Sequence, residues 1–372
     1  MKPLFWLSLS LIFFTYAGYP ICLYFRARYW SKPVRQARIF PSVTIVLAVH
    51  NEERNLLRKL NNLDALDYPV DRLEVIVISD GSTDQTGKIL GAWQRSGRRA
   101  VILSEHQGKA NALNYGMAEA RGDIVCFTDV RQIIALSALT NLIANFADPA
   151  VGCASGALML GGNPSVASSD GVGLYWRLEK NIRNWEGVSG STVGATGAFY
   201  AVRRNLLSPL PIGTILDDVY IPLNVARKGS RVVFDSEALA WDEFSSSPKQ
   251  EFRRKVRTLA GNYQLLQIAP WVLTSANPIR LRLVCHKLLR LLVPFALLGV
   301  LVSTFWVRQG IYEIVFGLQV VLYALAALTA LHAKIGILSR LSNISLAFIV
   351  LNTAAAVAFI YFITRRRAQW AK

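Results

Sequence analysis

Residues 43 to 84 read VTIVLAVHNEERNLLRKLNNLDALDYPVDRLEVIVISDGSTD, and the order of residue types in this stretch decides the fold. Val43 to Val49 is a nearly unbroken apolar run of strand length, the pattern of a strand buried on both faces. Glu52 to Leu63 then spaces its leucines as an amphipathic helix does, and Leu73 to Ser79 is a second buried strand. Strand, helix and strand in direct succession imply parallel pairing through a right-handed crossover.

The alternation continues outward. Ala100 to Ser104 and Asp123 to Thr128 read as further strands buried on both faces, with Asp84 to Gln94 and Gly108 to Ala120 as the helices between them. In such a sheet, ligands sit beyond the carboxyl ends of the strands. Polar residues gather there: His50-Asn51-Glu52-Glu53 after the first strand, Ser79-Asp80-Gly81-Ser82-Thr83-Asp84 after the second, and Asp129 after the fourth. A turn and an N-capped helix, with Ser82 or Thr83 as the cap, accounts for part of the second segment. It does not account for three successive strand ends being polar on one rim. No Gly-x-Gly-x-x-Gly follows the first strand, and Gly108-Lys109 lacks the upstream Gly and the following Ser or Thr of a phosphate loop. Nicotinamide chemistry and NTP hydrolysis are therefore disfavoured. His50, His106, His286 and His332 have no ligand spacing.

The 372 residues are 52% hydrophobic, more apolar length than one domain of ordinary size uses. Leu4 to Phe25, Leu288 to Val307, Ile311 to Leu331 and Ile344 to Ile363 each approach the roughly 20 residues that cross a bilayer core. The first run is too long for a signal peptide's core, has no Ala-x-Ala after it, and precedes its basic cluster (Arg26, Arg28, Lys32, Arg35, Arg38). It is expected to be an uncleaved anchor with its N-terminus outside. The net charge of +17 flanks apolar runs and is not interleaved with aromatic residues, so the partners expected are membrane lipids and anionic diphosphates, with no nucleic acid. Four spans would place Arg365, Arg366 and Arg367 outside, against the positive-inside rule, and the side of the large domain is weighted above the span count. Leu265 to Pro278, with Trp271, is apolar and too short to cross, as an interfacial segment would be. The organisation expected is an anchor at 1–30, a cytosolic domain at 31–264, and an interfacial segment with about three spans at 265–372, in a multi-pass protein of the inner (plasma) membrane. Cys22, Cys126, Cys153 and Cys285 form neither a disulfide framework nor a zinc spacing.

Four motifs in order, Ala-Val-His-Asn-Glu-Glu at 48–53, Ser-Asp-Gly-Ser-Thr-Asp at 79–84, Gly-Lys-Ala-Asn-Ala-Leu-Asn at 108–114 and Gly-Asp-Ile-Val-Cys-Phe-Thr-Asp at 122–129, resemble the family 2 glycosyltransferases of the cellulose, chitin and hyaluronan synthase type. The resemblance covers roughly Pro41 to Asn262. It implies a GT-A fold, an α/β domain with a Rossmann-like, mostly parallel sheet, a nucleoside diphosphate sugar donor and a divalent cation, Mg²⁺ or Mn²⁺. By the same comparison Asn51, Glu52, Asp80 and Lys109 would bind the donor, and Asp129 would bind both donor and metal. Where the family has Asp-x-Asp, this chain has Asp129-Val130-Arg131, so either Asp129 and the donor phosphates hold the cation, or Arg131, at the donor diphosphate, partly replaces it and weakens the dependence on metal. Leu216-Asp217-Asp218 resembles the Thr-Glu-Asp segment, which makes Asp218 the general base; Asp217 reads more simply as a helix N-cap. Arg257 matches the Arg of Gln-x-x-Arg-Trp and would clamp the leaving diphosphate, whereas Arg254 and Thr258 depart from Gln and Trp and put processive synthesis in doubt. Gly194-Ala195-Thr196-Gly197 occupies the place of an acceptor-facing turn, giving Thr196 and Gly197 as acceptor contacts.

The function expected is inverting transfer of a sugar from a nucleoside diphosphate sugar, with UDP as the expected nucleotide, to a saccharide or lipid-linked acceptor at the cytosolic membrane face, in polysaccharide or envelope glycan synthesis. Two alternatives remain open: single-sugar transfer to a polyprenyl phosphate carrier, and a catalytically inactive subunit working with partner subunits of a glycan synthesis or export complex.

Overall fold

The computed structural model describes residues 1–161, 170–243, 248–331 and 339–364. His332, the Arg365 to Arg367 tail and Ser245 to Ser247 lie outside them. Among the described residues, eight strands form one sheet: β1 (Val43–Val49), β2 (Leu73–Asp80), β3 (Arg98–Leu103), β4 (Ile124–Thr128), β5 (Ile133–Ile134), β6 (Val151–Leu160), β7 (Phe199–Arg203) and β8 (Arg231–Asp242), in the order β3-β2-β1-β4-β7-β6-β8-β5. The first four are mutually parallel, in the register that Val43 opposite Leu73 and Ile124 sets. β7 runs antiparallel between β4 and β6, β6 and β8 pair in parallel, and β5 closes the far edge antiparallel to β8.

β1 is apolar on both faces because both are covered. Ile45, Leu47 and Val49 pack against Leu56, Leu60 and Leu63 of helix Glu53–Asp64. Val46 looks the other way, onto Ala110 and Leu113 of helix Lys109–Glu119. Each such side chain contributes about 1.5–3 kcal/mol on burial. That second helix lies very close to the sheet at Gly116, where a Cβ would fall 2.3 Å from Val46 Cγ1. The expectation of burial on both faces fails for β3. It is the edge strand, and Ile102 is 55% exposed there.

Among the described residues, four helices are long and apolar enough to cross a membrane: Lys2–Tyr29, Arg280–Trp306, Ile311–Ala330 and Ser339–Ile363. Their outward faces carry exposed Leu7, Phe13, Leu298 and Leu318, the surface a lipid solvent would cover. The first two approach closely, since a Cβ on Gly299 would stand 2.5 Å from Ser8 Oγ, the small-residue contact that apolar surroundings favour. The apolar side chains of the segment after residue 264 turn into the domain: Leu265, Ala269 and Val272 are buried with Leu216, Val219 and Leu223. Arg227 stacks on Trp271 at 4.7 Å.

Candidate active site

The rim at the ends of β1 and β2 is stitched by side chains. Asn51 has a positive φ of 53°, a conformation its short amide tolerates, and its Oδ1 accepts the Thr83 amide at 2.8 Å. Its own amide donates to Ser82 Oγ at 3.1 Å, and the Glu52 amide to Thr86 Oγ1 at 2.9 Å. The Glu52 carboxylate accepts from Asn55 at 2.9 Å. The cap at the helix that follows is neither Ser82 nor Thr83. Helix Thr86–Trp93 begins later, and Asp84 takes the Thr86 amide at 3.0 Å and the Glu53 amide at 3.1 Å.

Asp80 is buried, and both its oxygens are committed to the next loop: Oδ1 accepts the Gln107 amide at 2.9 Å and Oδ2 the Gly108 amide at 2.8 Å. Asp80 thus shapes the rim from beneath. Gly81 permits this, because with φ of +60° a Cβ there would lie 2.3 Å from the His106 amide nitrogen. His50 and His106 face each other with ring centroids 3.9 Å apart, an aromatic shelf at the edge of the rim that the sequence reading did not single out.

Deeper in, three strand and helix ends meet. Lys109 Nζ stands 2.9 Å from Asp129 Oδ1 and 3.1 Å from Asp217 Oδ1. Despite its burial, the two carboxylates hold the Lys109 ammonium well above its ordinary pKa. Asp217 is not a cap, for its helix, Asp217–Arg227, has Leu216 at the N-cap and no side-chain cap. Buried Tyr200 also donates to Asp217, at 3.4 Å. Beside it, burial first and the Asp217 carboxylate second push Asp218 up to about 6, against the downward pull of Lys109, Lys287 and Arg183.

The turn at 194–197 wraps Asp218. The Ala195 amide donates to the Asp218 carbonyl at 2.7 Å, and a Cβ on Gly197 would lie 3.1 Å from Asp218 Oδ2. Thr196 is held by its amide to Ser155 Oγ at 2.8 Å and by Arg183 Nη1 at 2.5 Å. Asp218, Thr196, Gly197, Lys109 and Asp129 are thus brought together. Arg257 is carried on helix Pro248–Ile268, which packs Val256 and Ala260 against Ala354 and Ala358 of the last span.

Arg131 does not take the place expected for it. Its Nη2 is 2.5 Å from Asp242 Oδ2, which also accepts Gln132 Nε2 at 2.9 Å, because the chain turns away after β4. The cation beside Asp129 is that of Lys109. Beneath Asp129, buried Lys59 donates to Thr128 Oγ1 and the Gln132 carbonyl at 2.8 Å each, and burial lowers it to about 7.

Among the described residues no group of three or more His, Cys, Asp or Glu is placed to hold a metal ion. Asp129 is nonetheless 39% exposed, and the ammonium occupies only Oδ1. One free carboxylate oxygen fits a hard cation that arrives with a diphosphate and draws its other ligands from phosphate and water. The chain builds no cage for a resident ion among these residues.

Residues 44–209 match the model for glycosyl transferase family 2. The chain is 25% identical over 241 residues to the poly-β-1,6-N-acetyl-D-glucosamine synthase of Staphylococcus aureus, covering 63% of this chain and 58% of that protein. It is 25% identical over 285 residues to the probable glycosyltransferase YdaM of Bacillus subtilis, covering 70% and 66%. It thus spans less than two thirds of the length of these relatives. A mannosyltransferase from Pyrobaculum calidifontis, solved with GDP-Man and Mn²⁺, superposes over 98% of this chain and all of its own with a TM-score of 0.73 at 22% identity, a likeness of fold. The four motifs lie on one rim of a GT-A-like sheet and within the residues, 44–209, that the model for glycosyl transferase family 2 matches.

Proposed function

We propose that the chain is a membrane-embedded inverting glycosyltransferase that moves a sugar from a nucleoside diphosphate sugar, with UDP as the expected nucleotide, to a saccharide or lipid-linked acceptor. The observation that carries this reading is the meeting of Asp218, pushed up to about 6, with the Lys109–Asp129 pair under the β1–β2 rim. A hydroxyl is a poor nucleophile until its proton is taken, and a base with a pKa near the working pH does this best. Asp218 would accept that proton as the acceptor oxygen attacks the anomeric carbon and the diphosphate departs. Lys109 supplies fixed positive charge where the diphosphate gathers negative charge. Asp129 is the residue that would hold a divalent cation, which when bound offsets charge on the diphosphate.

The basic residues that crowd both ends of the domain support a cytosolic site, where such donors are made. The likeness to a polysaccharide synthase supports a role in glycan synthesis. The test is turnover of a panel of UDP- and GDP-sugars by detergent-purified protein, with and without Mg²⁺ or Mn²⁺. Turnover of one donor class, abolished in Asp218→Asn, is the expected result. Failure of every donor to bind or react overturns the reading.

A further inference from the structure

Helix Glu53–Asp64 turns three polar side chains toward the segment that leaves β4. Arg58 Nη2 donates to the Arg131 carbonyl at 3.1 Å, and Lys59 Nζ to the Gln132 carbonyl at 2.8 Å. Asn62 takes Ile134 by both backbone groups, Nδ2 donating to the carbonyl at 2.7 Å and Oδ1 accepting the amide at 2.8 Å. Among the described residues no backbone hydrogen bond closes the chain between Asp129 and Gln132, so these side chains hold it.

Lys59 alone of the three also reaches back into the strand. The ladder of β4 and β7 ends at the pair Thr128 and Phe199, and beyond it the two segments part. Lys59 Nζ donates to Thr128 Oγ1 at 2.8 Å, and that hydroxyl spends its own proton on the Ala198 carbonyl, also at 2.8 Å. Ala198 directly follows Gly197, whose Cα faces Asp218. One amine thus ties the residue before Asp129 to the residue after the Thr196–Gly197 turn. Lys59, Thr128 and Ala198 are all buried. Burying an amine is costly unless its N–H groups are met, and an apolar side chain in its place would leave the Gln132 carbonyl unmet.

We propose that Lys59 is a positioning residue for the transfer: it fixes Asp129 beside the donor diphosphate and, through Thr128, the turn around Asp218, in one geometry. The inference rests on the roles of Asp129 and Asp218 in the reading above. Lys59 acts through these neighbours and touches neither substrate. The β1–β2 rim is held by other contacts, among them Asn51 with Thr83 and Asp80 with Gly108, so nucleotide recognition is independent of it.

The test compares Lys59→Met, of similar length without the amine, and Thr128→Val, of threonine's shape without its hydroxyl, with Thr128→Ser, which keeps the hydroxyl. All are full-length proteins in detergent. Hydrogen exchange without substrate should quicken about 10-fold over 128–134 and over 194–198 in the Met and Val variants, the size of one buried acceptor left unmet, and stay within about 3-fold over 79–86. The kcat of donor turnover should fall about 10²-fold, as a misplacement of reacting groups by about 1 Å does, while UDP or GDP binding in chelator stays within about 3-fold of wild type. Thr128→Ser should stay within about 3-fold in every measure. Lys59→Met/Thr128→Val should be no slower than the slower single variant, because the two side chains act as a unit. Faster exchange confined to 128–134, an unchanged kcat in variants that are merely less stable, or losses that multiply in the double variant would overturn the proposal. Wild-type nucleotide binding reports on the transferase reading and exchange, which needs no substrate, on this one, so the two fail separately.

Discussion

Replacing Lys109 by Met, a side chain of similar length without charge, should strip the site of its central cation. Asp217 is only 6% exposed in its side chain, and removing one partner of a buried pair costs about 3–5 kcal/mol. Asp129, at 39%, is screened by solvent and adds at most about 1 kcal/mol. In a domain of this size each kcal/mol moves the melting temperature by about 2–4 °C, so Lys109→Met should melt about 10 °C lower. Adding Asp217→Asn removes the stranded charge, and the double variant should regain half of the loss or more. Lys109 also pulls Asp218 downward. The acid limb of activity should therefore move to higher pH in the single variant. Thermal unfolding in detergent, followed by intrinsic fluorescence, reads the first effect, and a pH–rate profile the second. A single variant within about 2 °C of wild type, or a double variant no better than the single, would refute the assignment of Lys109 as the counter-charge.

Asp218→Asn should retain nucleotide binding and lower transfer by about 10²-fold or more, and wild-type activity should climb as pH rises through about 6, where Asp218 loses its proton; near-normal transfer by the variant would remove it from the mechanism. Arg131→Ala should leave the Mg²⁺ or Mn²⁺ concentration for half-maximal rate unchanged, since Arg131 is engaged with Asp242, and a shift of about 3-fold or more would return Arg131 to the diphosphate. Lys59, lowered to about 7 in the folded protein, is neutral there and charged when unfolded between pH 7 and about 10.4, so it makes stability rise with pH in that window; the rise should be smaller in Lys59→Met. A cysteine at Ile212, 83% exposed, should react with a membrane-impermeant maleimide in inside-out vesicles and not in intact cells. Labelling in intact cells would place the domain outside.

How much of this was legible in the sequence depended on how local the cause was. β1, β2 and β4 announced themselves because burial on both faces leaves an apolar run that nothing else in a short segment explains. β3 carried the same kind of run, yet its place at the sheet edge is set by partners far along the chain. Lys109, Asp129 and Asp218 were readable as motif positions. Their meeting was not, since Lys109 and Asp217 are joined only by the fold. Asp217 was taken for a cap because an acidic residue at a helix start has that local use, and only its 3.1 Å contact with Lys109 shows the other. The pairing of Arg131 with Asp242 was hidden for a related reason: adjacency to Asp129 in sequence says nothing of where a side chain points once the strand has ended.

Farthest from view was the fastening of the domain to its spans. His286 presents Nδ1 to Glu186 and Nε2 to Glu179, each at 3.1 Å. Burial would raise Glu179, but His286 and Arg290 together hold it well below the ordinary range. A charged cluster so thoroughly enclosed gains little stability over apolar packing, and its use is to fix one arrangement of the parts. Here the parts are the first span, through Tyr19, the second, through His286 and Arg290, and the helix whose Arg183 holds Thr196. The turn around Asp218 is thereby set at a fixed height relative to the spans.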